Sequence, residues 1–190
     1  MQHSIITWKT IHNFGDLWWR HLQMRKKLFV DEMHWQIPHT EEVETDQYDT
    51  PSTVYLISHI DGQPVAASRL NSCCATYGEW SYMIKDACAG KLPGIPENLM
   101  DNPPSDSSFW EATRFTVDPS IPRQERTAVL AENAKALAAT ARDLGIKNLI
   151  ALMPPAYVRW LTSEGLPTRR AGPILKDAGD NRICAMVMPL

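Results

Sequence analysis

Strand and helix signals alternate from residue 109 to residue 188, and this alternation limits the possible folds more than any other feature of the chain. Residues 109–117 read as a strand, and Asp118-Pro119-Ser120-Ile121-Pro122 turns the chain. Leu130, Ala134, Leu137, Ala141 and Leu144 then mark one face of a helix that Gly145 ends. Residues 147–153 form a short apolar strand, Pro154-Pro155 opens a helix through Glu164, Gly165 closes it, and 182–188 is a last strand. Upstream, 53–59 and 64–71 are β-branched and apolar runs joined by Ile60-Asp61-Gly62-Gln63, where Asp-Gly signals a hairpin. A hairpin followed by alternating strands and helices predicts an α/β chain, a three-layer α/β/α arrangement on a mixed sheet. At 190 residues with 44% apolar side chains, one core and one domain over 1–190 are expected.

The remaining segments carry less regular signals. In 16–33, Trp18, Leu22, Arg25 and Phe29 fall within about a 60° arc of a helix, and Leu17, Met24 and Leu28 form a second apolar face. Residues 39–50 lose periodicity and hold five carboxylates, Glu41, Glu42, Glu44, Asp46 and Asp49. Residues 73–108 are an irregular excursion with a short helix near 84–89.

Composition excludes several classes. A net charge of −3 is too small for a nucleic-acid surface built on bulk electrostatics. No apolar run reaches the length of a membrane span, and 1–15 has no signal-peptide core, so a cytoplasmic location is expected. Cys73, Cys74, Cys88 and Cys184 have no metal-ligand spacing and read as reduced thiols, with no metal site.

Two groups of charged residues stand out. Arg25 on an apolar helical arc needs a partner, because an unpaired buried guanidinium is prohibitively costly. The acidic loop is either solvated or supplies carboxylates to Arg25, Arg69 and Arg114; it lacks the spacing of a calcium loop. Glu111 and Arg114 lie three apart in a strand and so face opposite sides unless the strand is bulged. They form either one bulged site or an internal salt bridge that pins the sheet.

Residues 115–130 occupy the strand, loop and helix positions where acyl-coenzyme-A-dependent N-acyltransferases cradle pyrophosphate on backbone N–H groups. Here 118–127 contains no glycine and two prolines, so donors are missing, which points to a donor other than coenzyme A. Arg123 and Arg126 are then contacts for an acidic carrier protein or ordinary first-turn arginines.

Arg25, Phe29, Trp35, Glu44, Asp46, Asp49, Arg69, Glu111 and Arg114, with Tyr48-Asp49 and Ala67-Ser68-Arg69-Leu70, form a dispersed pattern. On these residues the chain resembles the LuxI-type acyl-homoserine-lactone synthases, the autoinducer synthases of quorum sensing, over roughly 24–166. The resemblance implies a fold related to the N-acetyltransferases (GNAT-like). It also implies an acyltransferase that acylates the amine of S-adenosylmethionine from an acyl-acyl-carrier-protein, then closes the lactone with release of methylthioadenosine. No cofactor beyond these substrates is expected. Glu111, Glu44, Arg69 and Arg114 would be catalytic, with Glu111 the base, and Arg25, Phe29, Trp35, Asp46 and Asp49 would bind substrate. The acids would suit an ammonium and a sulfonium, and the arginines would hold them or meet a carboxylate. Rival readings are a GNAT-like N-acyltransferase using acyl-coenzyme A or another amine, and a non-catalytic ligand-binding descendant.

The chain also departs from the family pattern. Residues 91–104 read as an insertion that alters the acyl pocket or carrier surface. Where family members favouring 3-oxo chains carry a Thr, this chain has the apolar Ala151-Leu152-Met153, which argues for an unsubstituted chain. Trp8, Trp18 and Trp19 have no place in the pattern and read as core or lid packing.

Overall fold

The computed structural model describes residues 1–190. In chain order it contains β1 (Gln2–Thr7), α1 (Leu17–Lys26), β2 (Val54–Ile60), β3 (Gln63–Ser72), α2 (Met83–Cys88), β4 (Phe109–Val117) and α3 (Arg123–Asp143). These are followed by β5 (Asn148–Met153), α4 (Ala156–Ser163), β6 (Arg169–Arg170), β7 (Leu175–Lys176) and β8 (Arg182–Pro189). The strands run in the order β1-β2-β3-β4-β5-β8-β6, with β7 paired to β8. Since β4–β5 is parallel while β1–β2, β2–β3 and β5–β8 are antiparallel, the sheet is mixed and open, as expected. No helix is long and apolar enough to cross a membrane. The chain forms two compact units, Met1–Leu70 with Arg114–Leu137, and Asn71–Thr113 with Ala138–Leu190.

In the first unit, the β2–β3 hairpin closes at Ile60 and Gln63, with Asp61 (φ 49°) and Gly62 (φ 75°) both left-handed, as a two-residue hairpin turn needs. β1 adds to the outer side of β2 and was not legible in the sequence. Ile6 is its one buried residue, so no apolar alternation marks it. Ile6, Leu17, Met24, Tyr55, Ile57 and Ala67 form a core cluster with Ile11, Phe14 and Trp18 packed against it.

The expected helix over 16–33 is regular only as far as Lys26; residues Lys27–Glu32 form a π-helical segment in which the Met33 N–H donates to the Leu28 carbonyl. The wider turn buries Phe29 and leaves Leu28 only half-buried, which corrects its placement on a second buried face. The Trp35 N–H then bonds the Phe29 carbonyl, drawing Trp35 back onto the Phe29 ring.

In the second unit, Phe109, Trp110 and Glu111 of β4 pair in parallel with Asn148, Leu149 and Ile150 of β5, and β8 runs antiparallel to β5. Cys73, Tyr82, Ile84, Ala87, Leu99, Ile150, Ile183 and Ala185 form its core. Segment 91–104 is anchored rather than loose: Leu92, Ile95 and Met100 pack on that core, and the Tyr82 hydroxyl donates to the Pro104 carbonyl at 2.7 Å. A Cβ at Gly172 would lie 1.9 Å from the Leu99 carbonyl oxygen, so only glycine fits there.

The long helix has a shifted face. Ala131, Ala134, Leu137, Ala138 and Ala141 are buried, whereas Leu144 is 50% exposed, because the helix ends at Asp143 and Leu144 sits in the turn that Gly145 (φ 76°) completes.

Candidate active site

Three strands of sequence logic meet in the first unit. The helical arc of α1 buries Arg25, β3 buries Arg69, and β4 supplies Arg114 from a residue with φ 53°, a left-handed backbone in mid-strand. The strand is irregular here, as one of its two open readings required: Glu111, Ala112 and Thr113 are buried in succession and alternation is lost. The acidic loop is drawn onto α1 by the Glu44 N–H, which bonds the Leu22 carbonyl. Within it, the Asp46 carboxylate accepts the Tyr48 N–H at 2.9 Å and the Asp49 carboxylate accepts the Asp46 N–H at 2.9 Å.

The charges then close into a ring. Arg25 Nε donates to Glu44 at 2.6 Å, and its two terminal nitrogens grip Asp49 at 2.8 and 2.9 Å. Arg69 grips Asp46 bidentately at 2.5 and 3.1 Å and reaches Asp49 at 3.0 Å. Arg114 donates to Glu44 at 3.0 Å and to Asp46 at 2.6 Å. Each carboxylate therefore answers two guanidiniums, in the order Arg25, Glu44, Arg114, Asp46, Arg69, Asp49 and back to Arg25. Glu44 is 0% exposed and Arg69 1%, so the ring is desolvated and survives because every charge is compensated.

That arrangement settles the open reading of the loop. Glu44, Asp46 and Asp49 meet the three arginines as expected, while Glu41 and Glu42 are exposed. One expectation is corrected: the loop does not present a surplus of carboxylates to a cation, since three acids are matched by three guanidiniums. Burial pushes the Asp46 carboxyl upward, but Arg69 and Arg114 outweigh it and hold it below the usual carboxylate range. At Asp49 burial is likewise outweighed, by Arg69 and Arg25, so its carboxyl is held well below that range. Burial and the Asp49 charge raise the Tyr55 phenol, which donates to Asp49 at 3.0 Å.

Aromatic groups extend the ring. Arg114 lies 5.5 Å over the Phe29 ring, and Phe29 stacks on Trp35 with centroids 4.7 Å apart and planes 17° off parallel. Thr7, Trp8, Ile11, Trp18, Thr45, Thr50 and Tyr55 line a cavity of about 210 Å³ with Asp46 and Asp49. His21 was missed in the sequence, although it lies one helical turn before Arg25 on the same buried face. It is 1% exposed and bonds the Trp18 carbonyl through Nδ1. Burial, with Arg25 adding to it, drives the imidazole pKa down to about 3, so the ring is neutral.

Glu111 belongs to the second unit, where it is fully buried. Its two carboxylate oxygens accept the N–H groups of Met83 and Ile84 at 2.9 and 2.8 Å, in the first turn of α2. It thereby caps a helix start, a role the sequence reading did not contain.

The loop before α3 contradicts one assignment. Arg126, expected as a carrier contact, instead donates to the carbonyls of Pro119 and Ile121 and lies 3.6 Å from Glu32, so its guanidinium is spent on its own surroundings. Arg123 is exposed. The backbone donors of this loop are largely consumed. Asp118 N–H bonds Val65, Ser120 N–H bonds the Asp118 carboxylate, Ile121 N–H bonds the Asp118 carbonyl and Glu125 N–H bonds the Pro122 carbonyl, while Pro119 and Pro122 have none.

Among solved structures, the CoA-dependent acyl-homoserine lactone synthase BjaI, with SAM and isopentyl-CoA, superposes with a TM-score of 0.78 at 22% identity, covering 97% of this chain and 81% of that one. An acyl-CoA N-acyltransferase from Pseudomonas aeruginosa gives 0.57 at 12% identity, covering 98% of this chain and 97% of that one, so the fold is GNAT-like. The acyl-homoserine-lactone synthase of Acinetobacter nosocomialis is 28% identical over 188 residues, 93% of this chain and 94% of that one. That of Ralstonia solanacearum is 30% identical over 158 residues, 79% and 71% of the two chains. The sequence pattern of the autoinducer synthase family matches residues 18–190. With a match of that extent, the chain belongs to the autoinducer synthase family and is an acyltransferase of the acyl-homoserine-lactone synthase kind.

Proposed function

We propose that the amine acceptor is S-adenosylmethionine and that the acyl group arrives as a carrier-protein thioester. The amine attacks the thioester carbonyl, forming the amide and releasing the carrier thiol. The acceptor's own carboxylate then attacks the carbon bonded to sulfur, closing the lactone, and the sulfonium leaves with the electron pair as neutral methylthioadenosine.

The roles are those the resemblance implies, and the geometry supports them in part. Asp46 and Asp49 border the cavity, and Arg25, Arg69, Arg114 and Glu44 hold them rigid, so no reorganisation is needed when a cationic acceptor binds. Phe29, beneath Arg114, and Trp35, stacked on Phe29, are taken to contact the substrate from the aromatic side of the ring. The ammonium must lose a proton before it can attack, and the family resemblance supports Glu111 as its acceptor.

The observation that carries the choice of donor is the donor count in the loop before α3. Of the eight residues 118–125, only Arg123 and Gln124 carry N–H groups not already committed to the acceptors named above. A pyrophosphate cradle needs several convergent N–H groups. This supports a donor whose affinity comes from a protein surface, with Arg123 available to it. BjaI is CoA-dependent and shares the fold, which favours acyl-coenzyme A as the second reading.

A comparison of one acyl chain on carrier protein and on coenzyme A tests the assignment. A specificity constant at least about tenfold higher for the carrier thioester is expected, the ratio that roughly 1.4 kcal/mol of added carrier contact supplies. Equal or better use of the coenzyme A thioester would overturn it.

A further inference from the structure

The ring of charges raises a question about selectivity. Its three acids are matched by three guanidiniums, so the carboxylates at the cavity wall offer a cation little uncompensated attraction. The rest of that wall combines three aromatic side chains, Trp8, Trp18 and Tyr55, with Ile11 and three threonines. Trp18 and Tyr55 meet edge to face with centroids 6.2 Å apart, and Trp8 completes the lining. Trp8 is 62% exposed, the most exposed of the large hydrophobic side chains. The turn that carries it is fixed: the Thr10 N–H bonds the Thr7 carbonyl at 3.0 Å, and the Thr7 N–H bonds the Thr10 hydroxyl at 3.0 Å. An indole this exposed contributes little to folding, and it borders the cavity from a backbone turn that is fixed. A trialkyl sulfonium is weakly hydrated and carries its charge on an apolar periphery, the kind of cation that aromatic faces bind well.

We propose that Trp8 is a substrate-contacting residue that selects the cationic sulfonium of the acceptor through its indole face. This inference rests on the reading of S-adenosylmethionine as substrate. It assigns to Trp8 the discrimination between the charged substrate and the neutral thioether product. Release of methylthioadenosine is then eased by the loss of charge at sulfur, because the attraction disappears in the step that forms the product.

Purified wild type, Trp8→Ala and Trp8→Phe are compared for the KM of S-adenosylmethionine, kcat, and inhibition by methylthioadenosine. Trp8→Ala is expected to raise KM about tenfold, the effect of losing one partly desolvated cation–π contact, with kcat changed less than about twofold. Trp8→Phe should recover most of the loss, and the inhibition constant of the neutral methylthioadenosine should move less than about twofold in both. An unchanged KM in Trp8→Ala overturns the proposal. So does a KM and an inhibition constant that rise together, since the indole would then cover the nucleoside rather than the sulfonium. Because Trp8 is exposed, its loss opens no core, and circular dichroism and thermal melting check that the variants are folded. A wild-type protein that does not consume S-adenosylmethionine overturns the substrate reading itself, and the Trp8 assignment with it.

Discussion

Two regions hold carboxylates largely out of solvent, and they solve the same physical problem differently. In the first unit, Glu44, Asp46 and Asp49 are compensated by side chains from α1, β3 and β4, far apart in sequence. In the second, Glu111 is met by two backbone N–H groups at the start of α2. The first solution needs the tertiary fold before any charge is satisfied, so the ring makes stability and site geometry one property. The second uses groups that every helix start offers, and one acid there fixes where a six-residue helix begins.

The sharpest way to break that contrast is Arg25→Ala, which strands Glu44 and Asp49 together. A loss of about 3–5 kcal/mol in urea unfolding is expected, the cost of leaving a buried charge unpaired. A loss under about 1 kcal/mol would mean that water enters the ring. Next comes acid sensitivity beside the ring. Since the folded pKa of His21 is lowered to about 3, the unfolded chain binds its proton more readily, and the cost of keeping His21 neutral is absent above pH 6.5. Stability should fall by about 1.4 kcal/mol per pH unit as the pH drops from 6.5 to 4.5. Asp46 and Asp49, with lowered pKa values, keep their stabilisation over that window and lose it only below about pH 4. His21→Gln should remove the slope between 6.5 and 4.5, and a slope that persists assigns it elsewhere.

Glu111→Gln tests the other region. It keeps one acceptor oxygen but sets its amide nitrogen against a backbone N–H, so roughly 1–2 kcal/mol of stability should be lost. If Glu111 accepts the amine proton, the rate should also fall about 10²- to 10⁴-fold at neutral pH and partly recover at high pH, where the amine is free. A folded variant within a few-fold of wild type would leave Glu111 with capping alone. The smallest effect belongs to Glu41→Gln, on the same loop as the ring acids but exposed. A change under about 0.5 kcal/mol is expected. A larger one would show that exposure does not separate the loop's acids into two classes.

What was legible in the sequence follows the same division. The hairpin and β4 were readable because their signals are local, a turn dipeptide and a run of strand formers. The ring was only one of two readings of the loop: a charge on an apolar arc demands a partner and the loop was the nearest supply, but a solvated loop has the same composition. The three-residue spacing of Glu111 and Arg114 left strand irregularity as one of two readings. Capping by Glu111 was not readable, because its partners are backbone groups that carry no residue identity. β1 was hidden because an edge strand buries too little to alternate, and β6 and β7 because two residues hold no period. Neither was the π-helical turn visible, since its wider pitch leaves composition unchanged. Arg126 misled because a first-turn arginine looks the same whether it faces a partner or its own loop.

The central claim is that one site acylates the acceptor amine and then closes the lactone. Its most direct test is to incubate the purified protein with S-adenosylmethionine and an acyl-acyl-carrier-protein, and to quantify acyl-homoserine lactone and methylthioadenosine by mass spectrometry over the same time course. Equal amounts of both products, rising together and each dependent on the acyl donor, are expected. Acylated S-adenosylmethionine accumulating without methylthioadenosine would contradict the account and make the protein a simple N-acyltransferase.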